Sequence, residues 1–585
     1  MVFGQNARVS PQNCINAGRF CRISAQTPST FRPGPYSPVT IYDSRSYNSP
    51  TFSHFHFFAF PISVTLLAVT PDPIPNEKPP EARSTAGMTT KVFKGSIWTL
   101  AGQVLPLGVS LLTTPLVIRL LGSEGYGVLI LVALIPTYFS FADFGMGIAS
   151  TKFASEAYSE GNSLKEARTI RTAVAIAAIF SIPIAAIVFV FAELLISELN
   201  VPNALLLDAV LALRIGSITF VVNILNTILN TPQLTRLRMD LNTLVNASCR
   251  ITGLIATPIV VYCGWGISGV SYVLLVVAVI ALIANVYVSS RLLSGLLEMT
   301  IDRPAIRPML QYGGGLAISG LAAVMLVNLE KLILTKATTV EVLAFYSVAF
   351  TLASMASMFS MAMIQSLVPS FTQLLGPETK EHFRSLVQRA VRINLYTILP
   401  IIVFLCVASR PFFAIWAGSE FAINSSVPFY ILSFGLVFHL NAFIGGSILY
   451  ASGRTDIIAK LFWAELVPYI VVAGLLAYRF GAIGAAVAWS LRVVVEASIM
   501  NGLASRVVGV SLGFRGQLLN LLKVALPLLM PLVLIAFQDN FSIWFLFFDA
   551  IFLFIYGLIL WKQILDKTEK DWIYQRFKRI VFVGR

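Results

Sequence analysis

Charge is what this chain has least of. Asp, Glu, Lys and Arg together make up 12% of its 585 residues, against 56% hydrophobic residues and a mean hydropathy of +0.79. A soluble protein of this size needs about twice that charge to cover its surface. Histidine is nearly absent, at four residues, and the five cysteines (Cys14, Cys21, Cys249, Cys263, Cys406) show no metal-ligand or redox spacing. Zinc sites and disulfide frameworks are therefore not expected, and Cys249, Cys263 and Cys406 in apolar runs read as small hydrophobes. No phosphate-binding loop is present: Gly313-Gly-Gly315 has neither the preceding strand nor the lysine that one requires. No catalytic triad and no large polar domain between apolar runs is found, so soluble enzymology is excluded and no cofactor is expected.

What the chain does have is runs of about 20 apolar residues separated by polar breaks, the mark of a polytopic helical membrane protein. Transmembrane strands would alternate apolar and polar residues over about ten positions, and these runs do not. The formal charge of +14 fits Lys and Arg gathered in cytoplasmic connectors rather than a nucleic-acid partner.

Fourteen spans are expected, at about 96–121, 126–151, 170–193, 205–229, 242–262, 267–293, 312–335, 341–368, 390–413, 427–450, 457–478, 482–506, 517–537 and 541–563. Alternate connectors carry the cations, among them Lys165, Arg168 and Arg171, then Arg236 and Arg238, then Arg303 and Arg307, then Lys380 to Arg392, then Arg454 and Lys460. The other side has little beyond Arg119, Lys336, Arg410 and Arg479, and its second loop is acidic. Both termini are therefore expected in the cytoplasm, with a basic tail at 566–585. Residues 1–87 differ from the rest, being rich in Ser, Pro, Asn and Arg and poor in acids. They read either as a targeting segment or as an extension upstream of a natural start at Met88, disordered in both cases.

The pattern repeats. Lys94–Gly102 resembles Tyr312–Gly320 in its small-residue spacing, and the turn at Gly122–Val128 corresponds to Thr338–Ser347. Six spans per unit is an even number, so the two units (88–303 and 304–510) insert the same way round. An axis along the membrane normal then relates them in a pseudo-twofold arrangement around a central cavity. The spans in 511–565 lie outside the repeat.

Ionisable residues inside spans are costly and point to function. Arg250 lies mid-span and shares a helical face with Asn246 and Gly253, while Thr219, Asn223, Asn226 and Asn230 form one stripe on span four. These are expected either to line a wet cavity or to hydrogen-bond between helices. Arg214 lies off that stripe. Arg119, Lys331 and Arg492 are further cations for an anionic ligand. The acids Asp143, Glu330, Glu465 and Glu496 are candidates for ion coupling, although Arg492 and Glu496, four apart, also suit a pair with each other. His439, mid-span, is expected to be a packing residue. A stripe from Ser347 through Met358 and Met361 to Gln365 reads as a helix-packing face.

The stretch Asp143-Phe-Gly-Met-Gly, followed by Phe153-Ala-Ser-Glu156, resembles the Wzx-type polysaccharide flippases of the MOP exporter superfamily. Gly95-Ser-Ile-Trp98, the turn Leu120-Leu-Gly to Tyr126-Gly127, and Asn328-Leu-Glu-Lys331 with Phe345-Tyr-Ser347 match the same habit. The resemblance spans Met88 to Lys570. It implies alternating-access transport of an undecaprenyl-pyrophosphate-linked oligosaccharide across the bacterial inner membrane, without ATP; the location of Asp143, Glu330 and Glu465 leads us to expect a proton or sodium gradient as the driving force. It also implies membrane lipid, a polysaccharide polymerase and a chain-length regulator as partners. Related lipid II flippases carry arginines in their first two spans; here those spans offer only Arg119 and Lys152, which argues against lipid II as cargo. A MATE-type drug exporter shares the architecture, and a membrane enzyme of polysaccharide assembly is the alternative from another class.

Overall fold

Inside a bilayer a chain with so few charges satisfies its backbone by forming helices. The computed structural model describes residues 85–298, 300–511 and 543–564, with Gly516 and Lys570, and among these residues only helices and their connectors occur. We number the principal helices α1 (Thr85–Tyr138), α2 (Met146–Ser159), α3 (Ser163–Val190), α4 (Asn203–Leu229), α5 (Met239–Tyr262), α6 (Gly266–Leu292), α7 (Arg303–Ala337), α8 (Val340–Gln373), α9 (Lys380–Trp416), α10 (Ser426–Ala451), α11 (Thr455–Val508) and α12 (Ile543–Ile559).

Ten stretches are long and apolar enough to cross a membrane. Two of them reverse direction within themselves. In α1 the break is Gly122, at φ 73° and ψ 176°; in α11 it is Gly481, at φ 56° and ψ −133°. Both conformations are ones that glycine adopts without a Cβ penalty. The contacts confirm the reversals. Gly95 packs on Met239 at the start of α5, whereas Gly127 lies against Val340 at the start of α8, at the other end of the bundle; beyond Gly481 the backbone returns so closely that Gly484 meets the Leu476 carbonyl.

Counting these turns, the described residues reproduce the first twelve expected spans, six in each half. The thirteenth, 517–537, lies outside them. The fourteenth coincides with α12, whose buried Tyr556 hydroxyl donates to the Tyr396 carbonyl of α9 at 2.9 Å. Of the segment 1–87, only the last three residues are described, and they already belong to α1. Helix α9 starts at Lys380, earlier than the apolar run that begins at about 390, because the intervening charged turns keep Phe383 and Val387 buried on one face.

Each half packs around its own core. The second half is held by a large cluster that includes the fully buried rings of Tyr346, Phe371, Phe413, Phe421 and Phe429, side chains that dominate packing energetics wherever they occur. The first half splits its core in two. One cluster, around Leu131, Ile196 and Leu213, also takes in Val340 and Leu343 of α8. The other lies at the basic end around Met146, Ile170 and Ile228.

Candidate functional site

A cleft of about 470 Å³ lies between α2, α4 and α7. From the first half it is walled by Ser140, Asp143, Gly147, Ile148, Thr151, Thr227 and Asn230, and from the second by Leu316, Ala317, Gly320 and Val324. Asp143 is the one ionisable group among these described lining residues. The chain enters α2 through two left-handed residues, Phe144 (φ 50°) and Gly145 (φ 67°). The Asp143 carboxylate caps that turn, accepting from the Gly145 amide at 2.8 Å and the Gly147 amide at 3.4 Å. Hydroxyls and an amide make up the rest of the polar wall.

At the end away from the basic connectors the halves are sewn together. Arg119 donates to the Ile415 carbonyl at 2.6 Å and the Trp416 indole to the Leu111 carbonyl at 2.7 Å. Asn200 places its side-chain amide on the carbonyls of Thr335, Lys336 and Thr338 at 3.3, 3.1 and 2.7 Å. These carbonyls end α7 and have no partner within the helix. Ser123 donates to Glu341 at 2.9 Å, and one level deeper Tyr138 donates to the Asn328 carbonyl at 2.6 Å. The cleft is therefore closed at that end.

A second polar centre is buried inside the second half. Arg492 meets Glu496 at 3.0 Å and Glu465 at 3.6 Å, with His439 Nδ1 4.0 Å from Glu496. Glu330 is fully buried and accepts from the hydroxyls of Tyr469 (2.9 Å) and Tyr346 (3.3 Å). Lys331 turns the other way, donating to Asn328 Oδ1 at 2.8 Å with its ammonium 4.1 Å from the Phe350 ring. Neither oxygen of Glu465 has a hydrogen-bond partner among the described residues. Three carboxylates thus share this interior with two cations, Lys331 and Arg492.

The asparagines of the first half join a third network. Asn285 of α6 donates to Asn226 at 2.6 Å and to Asn246 at 3.2 Å, and accepts from Gln233 at 2.8 Å. Asn226 and Asn246 therefore bind helices together, whereas Asn223 is exposed one turn from cavity-lining Thr227. Arg250 is exposed on α5. Arg214 faces α3, its guanidinium 5.7 Å from the Phe189 ring.

Of the residues singled out from the sequence, Asp143 and Asn230 line the described cleft in this conformation. Glu330, Lys331, Glu465, Arg492 and Glu496 come together elsewhere, and Arg119 belongs to the closed end. Sequence reasoning missed Tyr346, Tyr469, Asn285 and Asn200; a polar residue deep in an apolar run was the available signal for the first three. On α8, Ser347 is buried, while the side chains of Met358, Met361 and Gln365 lie outside the described residues.

Comparison with known proteins sharpens this picture. Residues 92–375 match the family described as "Polysaccharide biosynthesis protein". The chain is 24% identical over 425 residues to the "Putative O-antigen transporter" of Shigella flexneri, covering 72% of this chain and 99% of that one. Among solved structures, the lipid II flippase MurJ in an inward closed conformation aligns with a TM-score of 0.61 at 14% identity, over 81% of this chain and 100% of MurJ. An inward-facing multidrug resistance MATE family transporter of the MOP superfamily aligns with a TM-score of 0.58 at 12% identity, over 69% and 98%.

The chain shares the fold of MurJ and of the MATE transporter.

The MOP fold accounts for the two six-helix halves and for a cleft closed at one end. With ten stretches long and apolar enough to cross a bilayer, the protein is integral to a membrane.

Proposed function

We propose that this protein is a flippase that carries an undecaprenyl-pyrophosphate-linked oligosaccharide from the cytoplasmic to the outer leaflet of the bacterial inner membrane, for O-antigen, capsule or exopolysaccharide synthesis. The observation that carries the reading is the match along 99% of a relative named as an O-antigen transporter, on a chain with the MOP fold. The cleft supports it: hydroxyls, an amide and a carboxylate at its wall are partners for sugar hydroxyls. The charge distribution supports reading the basic end as the cytoplasmic one, with both termini there, and the cleft as open to the inside. Polymerase and chain-length regulator act on the delivered cargo at the other side.

Transport is coupled to a proton or sodium gradient at the buried centre of the second half. An interior with three carboxylates and two cations needs one more positive charge, because isolated buried charge is costly. Glu465, whose oxygens accept no hydrogen bond among the described residues and meet Arg492 only at 3.6 Å, is where it enters. Asp143 is the weaker candidate, since its carboxylate already caps α2.

A deletion strain in the native host tests the reading. Cytoplasmic-face accumulation of the lipid-linked oligosaccharide with loss of surface polysaccharide is expected. One observation favours a second reading, export of a cationic drug: the single ionisable group among the cleft's described lining residues is a carboxylate. Unchanged glycolipids with new sensitivity to cationic dyes would establish that reading instead.

A further inference from the structure

A diphosphate needs cations, and the described wall of the cleft contains no Lys or Arg. It contains Asp143, which repels a diphosphate placed beside it in a partly dry cavity. A cargo whose sugars occupy the cleft must therefore carry its anionic head elsewhere. The cleft's mouth offers a place. Ile148 and Thr151 line the cavity from α2, and the next residue, one turn beyond Ile148, is Lys152. Across the mouth, Tyr312 stands one turn before cavity-lining Leu316 on α7.

The two meet. The Lys152 ammonium lies 4.3 Å from the centre of the Tyr312 ring and 4.7 Å from that of Phe153. Ring faces hold an ammonium in position without consuming its hydrogen-bond donors. Its carboxylate neighbour among the described residues, Glu156, is 3.9 Å away and both side chains are about half exposed, an arrangement that a more highly charged ligand displaces readily. The position also suits the lipid. Lys152 lies towards the basic end of its span, so a diphosphate bound there leaves the polyprenyl chain in the bilayer.

We propose that Lys152, steadied by Tyr312, is the site that binds the diphosphate of a polyprenyl-diphosphate-linked cargo at the mouth of the cleft, with the sugars above it. This rests on the flippase reading and adds the place and orientation of its substrate.

The test is binding of undecaprenyl diphosphate to the full chain in detergent, followed by native mass spectrometry, with inorganic pyrophosphate as a competitor. Lys152→Met, which keeps the packing against Tyr312, is expected to weaken binding roughly tenfold, the scale of a lost charge-assisted contact. Lys152→Arg should bind within about threefold of wild type, and so should Lys165→Met, which removes an exposed cation beyond the end of α2. Equal binding by wild type and Lys152→Met overturns the assignment of Lys152 and leaves the flippase reading intact. Equal losses in Lys152→Met and Lys165→Met reduce the effect to general surface charge and also overturn it. Binding of free pyrophosphate as tight as that of the lipid would identify a soluble anion site instead. Failure of the wild-type chain to bind the diphosphate lipid at all would sink the flippase reading itself.

Discussion

The Asn200 side chain donates to the Thr338 carbonyl at 2.7 Å, and through the same nitrogen reaches the carbonyls of Thr335 and Lys336. One residue of the first half thus closes the exposed end of α7 in the second. When the halves part at the outer side, those carbonyls are left to water.

Asn200→Ala should accordingly favour the outward-open state by about 1–2 kcal/mol, or roughly 5- to 30-fold in the equilibrium. A reporter cysteine, Val324→Cys, placed in a background without the native cysteines, reads the change. Membrane-impermeant maleimide added from outside should label it faster in Asn200→Ala than in the parent. An unchanged rate would show that the outer seam does not depend on this contact.

Gly127→Val should act in the same direction more strongly. Any Cβ at Gly127 runs into the Val340 carbonyl, so the two halves cannot close at this level. Outside labelling at Val324→Cys should become fast while transport in a complementation assay is lost.

Asp143 separates a cap from a coupling site. Asp143→Asn keeps an acceptor for the Gly145 amide and should leave transport within about threefold of wild type, whereas Asp143→Ala should destabilise the protein by about 1 kcal/mol. Complementation together with thermal denaturation in detergent checks both. Loss of transport in a stable, well-expressed Asp143→Asn protein would return Asp143 to the coupling machinery.

Arg492 is the countercharge for two buried carboxylates. Arg492→Met should cost about 3–5 kcal/mol, the penalty for stranding a buried charge, and be seen as loss of folded protein on size-exclusion chromatography. Arg492→Met combined with Glu496→Leu should recover much of the yield without recovering gradient-dependent transport. Recovery of both would remove the cluster from the coupling step.

At the outer end, burial and the adjacent Glu341 carboxyl push the Glu420 carboxyl above its ordinary value of 4.5. A raised carboxyl favours the folded, closed arrangement while protonated. The contribution is therefore full below 4.5 and is lost as pH rises through the elevated value. Labelling at Val324→Cys from outside should speed up across that window, and Glu420→Gln should flatten the response.

The spans were legible because bilayer thickness imposes a length on apolar runs, and the turns at Gly122 and Gly481 because polar breaks interrupt them. The Arg492–Glu496 pair was legible too, since four residues along a helix fix the geometry. The partners of Glu330 were not: Tyr346 and Tyr469 sit on two other helices, and nothing local to Glu330 names them. The asparagine stripe on α4 marked a polar face, but helical spacing does not say whether such a face meets another helix or a cavity. Asn226 turned towards Asn285, while Thr227 and Asn230 turned towards the cleft. Arg119 was recognised as a cation and its role was hidden, because its acceptor is the backbone of Ile415.

Along the outer seam that pattern recurs. Ile415, Leu111, Asn328, Thr335, Lys336 and Thr338 contribute main-chain carbonyls, beside two side-chain pairs, Ser123–Glu341 and Lys336–Glu198. A joint that grips the backbone is indifferent to the identity of the gripped residue. The acceptor positions are therefore free to drift as long as their helix ends keep their shape, and no matching change is demanded on the donor side. Related chains should diverge at these acceptor positions without paired substitutions, so methods that infer contacts from correlated change would overlook the main-chain part of the seam between the halves.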